Sequence, residues 1–272
     1  MIKALSISVT ALTLLLSQQS LAEGFYIGGK YHGQFLNNTG SLEVTSSSGK
    51  DITAANINDR IGANTEGQSI SDYKPNYNPP FSASVVLGGV KQLEQHECRF
   101  ELEGMHSQVK VDNIGLINGP ITVMYNMKDK DNKDAAYSMI ANHDQIENSS
   151  VMVNAYHHWK NDQFSFSPYV GAGIGGTRIK MFEKTSIRPA YQLKAGLNYQ
   201  VNKDTDIYVG YRHFGVIGGN FDEFETSKVK IGTKNDPNAV NFEKDNSVTT
   251  NLKSSFFGTH GVEVGMTVRF AS

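Results

Sequence analysis

Gly171, Gly173 and Gly176 stand at the spacing G-x-G-x-x-G directly after Tyr169-Val170. In a dinucleotide-binding enzyme that spacing turns a strand into a helix and lets backbone amides approach a pyrophosphate. The chemistry needs an apolar-faced helix after the last glycine and an acid about 20 residues further on to hold a ribose. Residues 177–188 are polar and run into Pro189, residue 196 is a glycine, and the nearest acids are Glu183 and Asp204. No cofactor is expected. His157-His158 invites a metal, but neighbours in a strand point to opposite faces and cannot chelate one ion together. The run Lys128-Asp129-Lys130-Asp131-Asn132-Lys133-Asp134 lacks the turn glycine of a calcium loop and has Ile140 where the bidentate Glu would fall. His213 and His260, with Ser254 and Ser255, could serve a His-Ser lipid deacylase, yet they carry no signature spacing. Cys98 is the single cysteine, so it forms no intramolecular disulfide, and no Cys-His signature surrounds it. Neither a metal nor a catalytic residue is assigned, and no enzyme is expected.

The glycines make sense once the elements that carry them are read. From Tyr191 to Val201, Tyr191, Leu193, Ala195, Leu197, Tyr199 and Val201 fall on one face and Gln192, Lys194, Gly196, Asn198 and Gln200 on the other. That is the period-two alternation of a strand with one apolar face. Val262, Val264, Met266, Val268 and Phe270 alternate in the same way with Glu263, Gly265, Thr267 and Arg269. Ile207, Val209 and Tyr211 do so with Tyr208, Gly210 and Arg212, joined to the first segment by the polar turn 202–205. Further strands are expected near 24–35, 81–92, 97–108, 148–160 and 164–179, eight in all. Gly171, Gly173 and Gly175 then lie at period two on an interior face, making room for bulky neighbours such as Tyr208 or Arg212.

The linkers sort into two kinds. Tight turns are expected at 93–96, 161–163 and 202–205, long polar loops at 36–80, 109–147 and 217–253, and a shorter loop near 180–189. This asymmetry predicts an all-β fold, an eight-stranded antiparallel transmembrane β-barrel with long extracellular loops and short periplasmic turns. The aromatics fit two membrane interfaces, with Trp159, Phe164, Tyr199 and Phe270 on the turn side and Phe35, Phe81 and Tyr191 on the loop side. Inward faces carry Lys30, Arg99, Glu101, Glu103, Lys194, Arg212, Glu263 and Arg269. Eight strands leave room for little besides side chains, so these charges are expected to pair as a rigid polar plug rather than line a conducting lumen.

Export is written at the amino terminus. Lys3, the apolar run Ala4 to Leu16 and Ser20-Leu21-Ala22 form a signal peptide over residues 1–22, cleaved before Glu23, with the barrel over 23–272. The 25 basic against 27 acidic residues leave no basic stripe, so no nucleic-acid partner is expected.

The stretches GFYIGGKY, SPYVGAGIGG, YQLKAGLNYQVNKDTDIYVGYRHFGVIGGNF and VEVGMTVRF resemble the major surface antigen family of the Rickettsiales, found in Anaplasma, Ehrlichia and Wolbachia. The resemblance covers most strands and is strongest in the carboxy-terminal half. It implies an outer-membrane antigen whose loops vary and meet antibody and host receptors, some members being similar to a porin. Phe270 followed by Ala271-Ser272 departs from the usual final aromatic of such barrels. The expected partners are outer-membrane lipid and, through loops 36–80, 109–147 and 217–253, host-cell or antibody surfaces. The alternatives are a small porin for hydrophilic solutes and a barrel lipid-modifying enzyme; oligomeric state is not read from the sequence.

Overall fold

The computed structural model describes residues 24–38, 42–46, 52–57, 81–110, 119–128, 131, 133–160, 163–231 and 240–270. The leader expected at 1–22 and the closing Ala271-Ser272 lie outside the described residues. In chain order the strands are β1 (Gly24–Asn38), β2 (Leu42–Ser46), β3 (Ile52–Ile57), β4 (Phe81–Leu93), β5 (His96–Lys110) and β6 (Gly119–Lys128). They continue as β7 (Asp134–His143), β8 (Gln145–Trp159), β9 (Phe166–Met181), β10 (Lys184–Gln200), β11 (Thr205–Ile231) and β12 (Val240–Phe270).

Eight of these close a ring. β1, β4, β5, β8, β9, β10, β11 and β12 pair antiparallel in that order, and β12 returns to β1 from Phe25↔Phe270 to Asn38↔Gly258. Closure leaves no unpaired strand edge in the barrel wall, which a lipid environment demands. Alternation does the rest. In β8 every even-numbered residue from Ile146 to His158 is buried, while Val151 and Val153 are exposed. Cross-strand rows such as Phe100–Ala155–Ala172–Leu193 and Leu102–Val153–Ile174–Tyr191 carry the apolar face around the wall. Exposed Ile27, Val85, Leu87, Ile207, Val209, Val264 and Met266 complete the belt on β1, β4, β11 and β12. So broad an exposed apolar surface is stable only when covered, and a belt with no gap around a closed cylinder fits hydrocarbon. At its turn-side rim stand exposed Trp159, Phe164, Tyr199 and Phe270, with the rings of Phe164 and Phe166 5.3 Å apart.

The stretches expected as loops hold further strands. β11 and β12 run on past the barrel as one long hairpin, paired as far as Ile231↔Val240. β7 joins β11 at Thr226–Val229, β6 pairs with β7, β3 with β6, and β2 with β12. The result is a crown sheet in the order β3-β6-β7-β11-β12-β2 above the barrel. Register shifts between Phe221 and Phe224 and between Glu225 and Ser227 mark the handover, since bulges bend a strand and increase its twist. The expectation of polar loops over 36–80, 109–147 and 217–253 is therefore corrected where these ranges are described: they carry β2, β3, β6, β7 and the extensions of β11 and β12, besides the ends of barrel strands. Their polar composition hid strands that have one face open to water. The run Lys128 to Asp134 closes the β6–β7 hairpin through the pair Lys128↔Asp134, with residues 129, 130 and 132 outside the described set.

The shorter loop near 180–189 is also corrected. β9 and β10 pair without interruption from Lys184↔Met181, leaving a two-residue turn with positive φ at both Phe182 (55°) and Glu183 (61°). This is the twist that hairpins favour, and it is normally supplied by Asn and Gly. Here Phe182 is held by burial in the apolar core, whereas Glu183 is exposed and only strained. Glu183→Gly is expected to stabilise the folded barrel by about 0.5–1 kcal/mol, read as a later midpoint in urea titration of detergent-folded protein.

Candidate functional site

The barrel interior is layered along its axis. Nearest the turns, Arg99 donates to Asp206 at 2.9 Å and Arg269 donates to Asp206 at 2.8 Å. Glu97 accepts from Arg99 and pairs with Arg269 at 3.3 Å and with Lys160. One level up, Lys30 pairs with Glu101 and lies 3.7 Å from Glu103. Lys194 bridges Glu103 at 3.0 Å and Glu263 at 3.1 Å. Glu103, fully buried, also accepts from Ser84 at 2.8 Å, Asn154 at 2.9 Å and Gln192 at 2.8 Å. Arg212 donates to Gln192 at 2.8 Å, and its guanidinium lies 4.9 Å from the centre of the Phe214 ring. Two cations, Lys30 and Lys194, thus meet three carboxylates, Glu101, Glu103 and Glu263, while Arg212 is buried near them and, among the described residues, holds Gln192 and no carboxylate. Such pairing is what offsets the cost of taking charge out of water.

Among the described residues, the interior above Phe214 loses its ion pairs, and apolar side chains pack there beside a few buried hydroxyls and amides such as Asn148, Ser150 and Thr177. Met105, Val109, Met152, Ile179, Met181, Phe182, Phe214, Val216, Phe221, Phe224 and Phe257 pack with Tyr125, Tyr137 and Met139 of the crown into one buried cluster. This apolar cluster, the cap, fills the loop-side end, with the Lys184 ammonium over the Phe224 ring, 5.4 Å from its centre. Below the cap, a cavity of about 20 Å³ lies among Tyr26, Lys30, Tyr156, Tyr208 and Glu263, room for about one water and too little for a hydrated ion. A wider vestibule of about 320 Å³ opens at the turn-side mouth, lined by Lys160, Ser165, Ser167, Asn198, Gln200 and Asp206.

The structure places Lys30, Arg99, Glu101, Glu103, Lys194, Arg212 and Glu263 buried inside the barrel and Arg269 half-buried at its turn-side end. Sequence reasoning left out Glu97, His32 and Asp206, which share parity with Arg99, Lys30 and Tyr208 and could have been found by that signal alone. Lys160 follows the end of β8 and carried no such signal. The apolar cap was missed altogether, because its members come from barrel and crown strands far apart in sequence.

The interior glycines have identifiable tenants. A side-chain carbon on Gly171 would meet the Tyr156 ring at 2.3 Å, and one on Gly173 would meet Asn154 Oδ1 at 1.9 Å. Tyr208, expected over these glycines, instead lies across Gly265. The pattern is general: Tyr26↔Gly88, Tyr156↔Gly171, Tyr169↔Gly196 and Tyr208↔Gly265 are direct cross-strand pairs. Each ring fills the space its partner leaves, as aromatic residues do over strand glycines. The fingerprint reading and the barrel reading part at two neighbours. A Cβ on Gly175 would meet Val151 O at 2.0 Å, while one on Gly176 would meet nothing within 4 Å. Gly175→Ala is expected to cost about 1–3 kcal/mol and Gly176→Ala almost nothing, compared by urea unfolding; the reverse order would mean that the register is wrong.

His157 and His158 face opposite sides of β8, His158 buried and His157 outward with its ring 4.9 Å from that of His96. Among the described residues no three metal-ligating side chains converge. His213 and His260 are cross-strand partners, but Ser254 pairs with Gly219, six residues along β12 from His260, about 20 Å along a strand. The side chains of Ser254 and Ser255 lie outside the described set; the hydroxyl beside His213 is that of Tyr191, 3.2 Å from Nε2. Of the loop-side aromatics, Phe35 lies against His260 with ring centres 5.8 Å apart, Tyr191 is half-buried, and the side chain of Phe81 lies outside the described set.

Residues 18–271 match the family described as "Surface antigen". Major surface antigen 4 of Anaplasma marginale is 26% identical over 211 residues, spanning 73% of this chain and 70% of that protein. Among solved structures, the chain is similar to Neisserial surface protein A, with 13% identity, TM-score 0.39, and coverage of 92% of this chain and 98% of that one. It is also similar to Ail of Yersinia pestis, with 12% identity, TM-score 0.34, and coverage of 92% and 99%. The barrel assignment rests on the strand register, not on these likenesses.

Proposed function

Because the chain belongs to the surface antigen family, we propose that its barrel is a sealed scaffold whose working surface is the crown. The protein is a surface antigen of the bacterial outer membrane. The observation that carries the sealed reading is the layering of the interior, two ion-pair networks below and an apolar cap above. The charges named from the sequence hold the cylinder rigid, and the aromatics at the strand ends mark the two interfaces of the bilayer. Long connections lie on the crown side and tight turns on the other, so the crown faces outward. There β2, β3, β6, β7, β11 and β12 present loops to antibody and host surfaces, as rigid scaffolds present binding loops. The protein acts as a contact surface and not as an enzyme, and residues 1–22 act as a leader removed before Glu23.

Planar bilayers test the seal. Monodisperse monomer is expected to show no steady conductance; steady channels would favour the small-porin alternative, which also predicts sugar-permeable liposomes. Protease on intact cells is expected to cut between β11 and β12 and to spare the turn 202–205.

A further inference from the structure

On the outside of the wall, the apolar rows end abruptly at one level. Above Gly104–Val151–Gly176–Pro189 comes the row His106–Ser149–Arg178–Ile187, and above that Gln108–Glu147–Lys180–Thr185. The Arg178 guanidinium is exposed and donates to Thr185 Oγ1 at a long 3.4 Å; among the described residues no carboxylate comes within ion-pair distance of it. Lys180 is half-buried, 3.5 Å from Glu147, and Ser149 Oγ lies 3.0 Å from His106 Nδ1. Directly below Arg178, nothing stands within 4 Å of where a Gly176 side chain would point. Val151 and Pro189 wall this dip on either side, and Ile174 below it is the most exposed of the large apolar side chains, at 73%.

A cationic fork with unused donors, set one row above a shallow apolar dip at the rim of the belt, has the chemistry of a phospholipid: phosphate above, acyl chain below. We propose that the β8–β9–β10 wall binds one anionic outer-leaflet phospholipid, its phosphate on Arg178, Lys180 and Ser149 and one acyl chain along Gly176. Placing the lipid in the outer leaflet rests on the crown-outward orientation above, while the binding itself does not.

Native mass spectrometry of the folded barrel in detergent tests it with phosphatidylglycerol as probe and diacylglycerol, which lacks the phosphate, as the comparison. Phosphatidylglycerol is expected to be retained over diacylglycerol. Retention should fall about fivefold in each of Arg178→Gln and Lys180→Gln, fall also in Gly176→Leu, and stay unchanged in the turn variant Lys203→Gln. Undiminished retention in Arg178→Gln, or an equal loss in Lys203→Gln, would overturn the site. Displacement by an equal concentration of inorganic phosphate would show an anion site and not a lipid site. Urea midpoints of all variants separate lost binding from lost folding, and none of these outcomes bears on the conductance test.

Discussion

Glu103→Ala is expected to lower the unfolding free energy of the barrel by about 3–5 kcal/mol, the cost of taking a carboxylate from the buried charges it pairs with. Glu103 takes Lys194 at 3.0 Å and three neutral donors, Ser84, Asn154 and Gln192. Its removal leaves Lys194 with Glu263 alone and takes one of the two partners from each of Ser84, Asn154 and Gln192, all of them buried. Glu103→Gln keeps the shape and some of the hydrogen bonds, so its loss is expected to be smaller. Glu103→Ala combined with Lys194→Met is expected to regain part of the loss by removing a buried cation that would otherwise keep one carboxylate in place of two. Equilibrium urea titration in detergent, followed by the heat-modifiable shift of the folded band, reads all three. A cost below about 1 kcal/mol for Glu103→Ala would place the carboxylate in contact with water and reopen the porin reading.

Phe221→Ala is expected to cost a similar amount, about 3–5 kcal/mol, through different physics. Phe221 is fully buried where the barrel hands over to the crown, edge-on to Phe182 with ring centres 5.9 Å apart. The crown stands in water, so this contact draws on hydrophobic burial, which packing between helices or strands within lipid does not. The loss should therefore be local. Limited proteolysis of the folded protein is expected to cut crown connections many-fold faster in the variant while the barrel fragment keeps its heat-modifiable migration. Unchanged crown proteolysis would mean that Phe221 does not tie the crown to the barrel.

The barrel was legible because lipid imposes a simple rule on every wall strand. From Tyr191 to Val201, six alternate apolar side chains leave no other reading, and Ile27, Val209 and Met266 obey the same parity. The crown obeys a weaker rule. Its strands are watered on one face, and the register shifts in β11 around Phe221 to Ser227 break parity where the two sheets meet. Composition there reads as loop. The Phe182-Glu183 turn was hidden for a related reason, since neither residue is one that a positive φ selects.

For the interior, sequence parity was enough to say that Lys30, Arg99, Glu101, Glu103, Lys194, Arg212 and Glu263 share one enclosed space, because in a narrow barrel the inward face of every strand is the same place. It could not say who pairs with whom. Lys194 reaches Glu103 and Glu263, 91 residues before it and 69 after it, only because closure and register bring β5, β10 and β12 to one level of the lumen. The apolar cap and the Arg178 rim likewise exist only when strands remote in sequence are set side by side. Alternation along a strand is a local property written residue by residue; which residues stand at the same height is set by strand register, and that only the folded chain decides.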